Sequence, residues 1–263
     1  MRIYEIIAHS RNLKILEQDN VEWLDAIEQD CQQYLSAVKT ANKWLLRGHS
    51  PAQDAYVATT TRFRQPSDTH PEAQKLFDQI LAIHGFVAVR GNSIFATSDP
   101  YKASNYGEVY VIFPVDHYSH FTYTTENDLS IETPEDLLSE SKSQEWLRQL
   151  RKWMREYEKQ KGWDPSNSPV RKVNLLSLLD LNDEWTRHGL DLAELPERFR
   201  NMRLIDLVDI REFMQKYQPS STNLVKALKS GVEVYIAGKY YALKLDVWGD
   251  AVAQRFGVPP KGT

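Results

Sequence analysis

An α+β fold is what the sequence predicts, and three observations carry the expectation. Stretches with three- and four-residue apolar spacing and stretches rich in β-branched and aromatic residues follow one another in mixed order. The strand-like stretches are short, as in FVAV, SIFA and EVYVIFP. Hydrophobic residues make up 41% of the 263 and charged residues 26%, the balance of a globular chain long enough to bury a core.

The elements follow in order. Leu24, Ile27, Cys31, Tyr34 or Leu35, and Val38 recur at helical steps and predict a helix over 20–38, with Asp19 and Glu22 as a capping box. LLRG (45–48) reads as a short strand. His49 to His70 is polar and aperiodic and reads as a long loop, a kind of segment often functional. Pro71 opens a helix to about His84, with Leu76, Phe77, Ile80 and Leu81 facing inward, and Gly85 stops it. FVAV, SIFA, EVYVIFP and HFTYT are the next strands, with a short helix over 99–106 capped by Ser98 or Asp99.

Residues 126–142 are acidic and polar and read as loop. Trp146, Leu150, Trp153, Met154 and Tyr157 then form a helical stripe, WDPSNSP (163–169) breaks it, and 173–217 is leucine-rich with helical spacing. A last helix is expected over Asn223–Lys229. VEVYIAGKYYALKL reads as a hairpin with Ala237-Gly238-Lys239 at its turn, and the tail PPKGT as frayed.

Composition narrows the function. The net charge of −4 argues against avid, non-specific nucleic-acid binding. A local basic patch, RQLRKWMREYEKQK (148–161), keeps nucleic acid open as a transient substrate, and a solvated helix face is the plain alternative. No 18-residue apolar run offers a transmembrane helix, and the first twenty residues lack the long apolar region of a secretion signal. The single cysteine, Cys31, rules out an internal disulfide and suits a reducing compartment. The expected location is a cytoplasm. No Gly-rich phosphate loop is present, and Gly-His-Ser (48–50) is not a nucleophile elbow.

Three pieces stand out: Arg47-Gly48 at a strand end, the Ser93–Ser98 strand with the helix that ends in Tyr106-Gly107, and Glu233 after Gly231. Taken singly they read as a surface turn, a helix cap and a solvent-facing strand position. In this order, L-L-R-G (45–48), S-I-F-A-T-S (93–98) and S-G-V-E-V (230–234) resemble the Arg–Ser–Glu branch of the ADP-ribosyltransferase superfamily. A-x-x-Y-G (103–107) followed by V-Y-V-I-F-P is similar to it as well. R-x-P-x-D-T (64–69) and H-G-F-x-x-x-R (84–90) look like small transferase-like proteins of bacterial viruses. The resemblance covers about 40–125 and 220–246. It implies one ADP-ribosyltransferase-like domain over 1–263, a split β-sandwich flanked by helices, with 140–217 as a helical insertion.

The resemblance also implies a reaction and roles. NAD is the co-substrate, and the nicotinamide–ribose bond breaks through an oxocarbenium-like transition state. Glu233 stabilises the developing charge and holds the ribose 2′-hydroxyl. Arg47, beside Gly48, offers a fork of donors to the pyrophosphate or adenosine ribose. Ser93, Thr97 and Ser98 are alternatives for the hydroxyl that orients Glu233, because Ala96 stands where the motif's first serine belongs. Tyr106 and Phe95 are the candidates for stacking on nicotinamide. Arg64, Asp68 and His70 fall in the substrate loop, with loop bracing as their plain alternative. Gly231 replaces the Glu or Gln of arginine-modifying members, which argues against arginine as acceptor. Another side chain, a nucleobase or plain NAD hydrolysis remain. The expected setting is a phage factor acting in a host bacterial cytoplasm, with a protein or nucleic-acid acceptor and no metal.

Two rival readings stand beside this one. A catalytically inactive binding protein that inhibits a host factor is motivated by Ala96 and Gly231. Trp146, Trp153, Trp163 and Trp185 supply its contact residues. A metal-dependent hydrolase would use Asp116, His117 and His120, with His84 nearby, but HExxH and cysteine pairs are missing.

Overall fold

The computed structural model describes residues 16–50, 53–60, 70–125, 134–162 and 194–259. The chain divides into two compact units, 1–67 with 81–130 and 216–263, and 68–80 with 131–215. The class is mixed α+β, with a five-stranded antiparallel sheet in the first unit.

Two helices open that unit, α1 (Leu16–Asp30) and α2 (Gln32–Ala41). The single helix expected over 20–38 is interrupted at Cys31, which leaves helical geometry at φ −125°, ψ 34°. Asp116, distant in sequence, accepts a hydrogen bond from the Gln33 amide at 2.9 Å and so satisfies one of the free donors of α2.

The sheet is built on a ribbon of two long strands, β4 (Glu108–Tyr123) and β5 (Val234–Lys244). β1 (Leu46–His49) pairs with the first part of β4. β2 (Ala55–Thr59) pairs with the last part of β5. β3 (Ile94–Ala96) pairs with the start of β5. Val111, Phe113, Tyr241 and Leu243 alternate onto one face, where Trp23 of α1 meets Tyr241 and Tyr34 of α2 meets Phe113. The last helix of the unit, α9 (Leu245–Phe256), adds Phe256 against Phe113.

The ribbon bends. Val234 and Leu243 are nine residues apart, about 30 Å in a straight strand. Yet Leu243 pairs with Val111, Val111 with Leu46, Leu46 bridges to Thr97, and Ala96 pairs with Val234. Four sheet steps and one chain step span at most about 26 Å. The bend falls where the β4–β5 register shifts between Pro114 and Ser119, opposite Gly238 at φ +117°. A Cβ on Gly238 would stand 2.0 Å from the Tyr118 carbonyl oxygen, so only glycine fits.

Several expectations change here. The hairpin expected at Ala237-Gly238-Lys239 is one continuous strand, because both of its halves pair with β4 and Gly238 supplies a bend rather than a reversal. EVYVIFP and HFTYT are likewise one strand, β4. The expected loop 49–70 holds β2, an edge strand whose partner is distant in sequence, while 61–69 lies outside the described residues. FVAV is not a strand. A 3-10 turn (Arg90–Asn92) follows it, and Asn92 accepts from the Val89 amide and donates to the Val87 carbonyl. The short helix is α4 (Pro100–Ser104), and Asp99 caps it by accepting from the Tyr101 and Lys102 amides.

α3 (Pro71–Ile83) buries Leu76, Phe77, Ile80 and Leu81 as the pattern predicts. In the second unit α5 (Glu140–Lys161) buries Leu150, Met154 and Tyr157, and α6 (Glu197–Arg200) sets Phe199 against Trp146 and Trp153. Those two tryptophans therefore pack within their own unit. Trp163 and Trp185 lie outside the described residues. α7 (Ile210–Tyr217) leads back to the first unit, and α8 (Leu224–Ser230) precedes β5. Among the described residues no helix is long and apolar enough to cross a membrane.

Candidate functional site

The sequence motifs meet where β3 ends. Thr97 exchanges two backbone hydrogen bonds with Leu46, at 2.7 and 2.8 Å, so the residue before Arg47 is tied to the Thr-Ser pair. On the other side Ala96 pairs with Val234, one residue past Glu233. Segments around residues 47, 97 and 233 thus lie on neighbouring strands.

The two hydroxyls act on backbone. Thr97 Oγ1 donates to the Gly231 carbonyl at 3.0 Å, and Ser98 Oγ donates to the Leu228 carbonyl at 2.5 Å. Both accepting carbonyls belong to the carboxyl end of α8, where the helix leaves carbonyls without partners. Gly231 itself closes α8 in the left-handed region, at φ +70°, with its amide on the Ala227 carbonyl. Each hydroxyl carries one proton, and here each proton goes to a carbonyl. The pair therefore fixes the path of the chain into Glu233 rather than gripping its carboxylate. Ser98 and Thr97 are buried; Glu233 is half-buried. Ser93, the third hydroxyl candidate, is buried and donates to Asn92 Oδ1 at 3.0 Å.

Arg47 belongs to the other half of the ribbon. It pairs with Tyr110, and strand alternation puts it on the face opposite Phe113 and Tyr241. Tyr56 of β2 and Tyr240 of β5 share that face. The Tyr56 ring lies 5.7 Å from Tyr110 and 6.2 Å from Tyr240, a reach allowed by the small Ala242 between them. Among the described residues no hydrogen bond or ion pair engages the half-buried Arg47 guanidinium. Burial first, then the neighbouring Tyr240, pushes the Tyr56 phenol up, and the Arg47 charge pulls it back. Gly48 has a packing reason, since a Cβ there would stand 1.9 Å from the Ala103 carbonyl of α4.

The remaining candidates separate. The Phe95 ring lies 5.4 Å from the Tyr235 ring, tilted at 56°, and the Arg90 guanidinium lies 5.2 Å from it. Tyr106 is 69% exposed. His70 Nδ1 accepts from the Glu72 amide at the start of α3, and Arg64 and Asp68 lie outside the described residues. Asp116 is engaged at α2, and among the described residues no three His, Cys, Asp or Glu side chains gather as a metal site. A cavity of about 330 Å³ lies beside the Thr97–Gly231 junction, between Trp44, Leu46, Ser98, Asp99 and Gly231.

Sequence reasoning missed Tyr56, Tyr110 and Tyr240. The aromatic and β-branched run in AYVAT was the available signal, too short to stand out from a polar segment. Comparison of the chain with known protein families, with curated proteins and with solved structures finds no match.

Proposed function

We propose that the protein is an NAD-dependent mono-ADP-ribosyltransferase, encoded by a bacterial virus and acting on a protein or nucleic acid of the host cytoplasm. One observation supports this above all: the Leu46–Thr97 bridge and the Ala96–Val234 pair join the three segments that resemble the family. In the reaction the ribose C1′–N bond breaks and nicotinamide leaves with the electron pair. The ribosyl cation is held by the Glu233 carboxylate. An acceptor nucleophile then bonds to C1′ and gives up its proton. Arg47 holds the pyrophosphate.

The test is nicotinamide release from NAD in bacterial lysate, followed by mass spectrometry, for wild type and Glu233→Gln. Release by wild type that falls about a hundredfold or more in the variant supports the reading. ADP-ribose adducts in the protein or the nucleic-acid fraction then name the acceptor class. No release by wild type overturns it.

A second reading, an inactive binding protein of the same fold, is favoured by one feature. The protons of Thr97 and Ser98 are already donated to carbonyls, and Ala96 brings no hydroxyl. NAD turnover that depends on Glu233 removes this alternative.

A further inference from the structure

We propose that the outward face of α5 is a nucleic-acid-binding surface that grips the phosphate backbone without reading sequence. Arg148, Lys152, Arg155 and Lys159 follow one another at steps of four, three and four residues, so the four cations form one row along the helix. All four are exposed. Leu150, Met154 and Tyr157 lie on the opposite face and are buried, so packing within the unit turns the row outward.

The row is not neutralised by its own unit. Six Lys and Arg stand against two Glu in 148–161, in a chain whose net charge is −4. Of the two glutamates, Glu158 is buried and only Glu156 is exposed. Arg148 has Glu145 at 2.8 Å, a solvent-exposed pair of the kind that holds weakly. Lys161, off the row, has Glu194 at 3.0 Å. Among the described residues no hydrogen bond or ion pair engages the side chains of Lys152, Arg155 or Lys159. Like charges four residues apart weaken a helix, and Arg148–Lys152 and Arg155–Lys159 are such pairs. A polyanion laid along the row relieves that repulsion.

Charge complementarity and geometry select the occupant. The row spans eleven residue steps, about 16 Å of helix axis. A nucleic-acid strand carries one charge per nucleotide, so several phosphates fall within that length and meet the row together. The aromatics of α5 turn away from it: Trp146 and Trp153 rest on Phe199, and Tyr157 is buried. The row itself offers no stacking platform, so the contact is with the backbone and independent of sequence. Binding does not depend on the transferase reading. Joined to that reading, it makes nucleic acid the acceptor class, and only this step rests on it.

Fluorescence anisotropy of labelled DNA and RNA single strands of about 20 nucleotides, longer than the row, is measured against salt. The proteins are wild type, a row variant (Lys152→Gln, Arg155→Gln and Lys159→Gln combined) and a control. The control combines Lys75→Gln, Lys226→Gln and Lys229→Gln, removing the same charge from exposed lysines elsewhere. A thermal melt checks each fold. Wild type is expected to show a log–log salt slope of about −3, as for about four phosphate contacts on a single strand. The row variant is expected to bind about a hundredfold more weakly at about 50 mM salt, with a slope of about −1. Arg155→Gln alone should reduce the slope by about 0.7, which keeps the test sound if the row variant melts early. The control should bind as wild type does. Wild type that binds neither strand, or a row variant that binds as well as wild type, overturns the proposal. A control that loses as much as the row variant overturns it too, since net charge alone then drives binding. Polyglutamate or phosphatidylserine vesicles that bind the row as tightly overturn nucleic acid as its occupant. The transferase reading fails separately. If the row binds as expected while wild type releases no nicotinamide, the surface stands and the transferase does not. If nicotinamide is released and the row variant binds strands as wild type does, the reverse is true.

Discussion

Two polar clusters sit on the bent β4–β5 ribbon, and they differ in how their donors are used. At the Thr97–Ser98 junction each hydroxyl proton goes to a backbone carbonyl, that of Leu228 in α8 or of Gly231 that closes it. On the Arg47–Tyr56 face the guanidinium engages no group among the described residues, and the buried Tyr56 hydroxyl faces the side chain of Tyr240. Saturated donors build a scaffold and lock the chain that carries Glu233. The half-buried Arg47 guanidinium ties down no chain segment among the described residues. Residue type alone does not separate the two, since both clusters read as polar positions near strand ends.

The comparison breaks most severely if the bend is removed. Gly238→Ala meets the Tyr118 carbonyl and forces a positive φ, and should cost roughly 4 kcal/mol of stability in denaturant melts. A stability within 1 kcal/mol of wild type would mean the ribbon tolerates another path. Next in size is the scaffold cluster. Ser98→Ala and Thr97→Ala each leave an α8 carbonyl without its donor and should cost about 2 kcal/mol. Their double mutant should fall short of the sum, because both act on one helix end. The smallest stability effect belongs to the other cluster. Tyr56→Phe should cost about 1 kcal/mol or less, since its hydroxyl meets the Tyr240 side chain and no backbone carbonyl. If Tyr56→Phe were instead as costly as Ser98→Ala, the two clusters would be alike and the contrast would be lost.

Legibility from sequence varied by element. The strand at LLRG, the SIFA strand and the capped helix after it were readable because their signals are local: β-branched and aromatic runs, and Asp99 before Pro100. Ala237-Gly238-Lys239 misled, since a glycine inside an apolar strand signals a turn or a bend equally well. Only the pairing of both halves with β4 distinguishes them. β2 was hidden for a related reason: a five-residue edge strand gains its stability from β5, far away in sequence. Of the candidate site, Arg47, the Thr-Ser pair and Glu233 were picked out by motif. Their neighbours Tyr56 and Tyr240 were not.

The sequence by itself determined the mixed class, most helix positions and the three segments worth watching, because helical period, caps and β-branched runs are written within a few residues. Tertiary structure alone decided that the ribbon bends at Gly238, that Leu46 meets Thr97, that two hydroxyls bind backbone, and that Tyr56 shares a face with Arg47. Those facts depend on partners tens to more than a hundred residues away, and a hydrogen bond is used or left free only once the chain has closed around it.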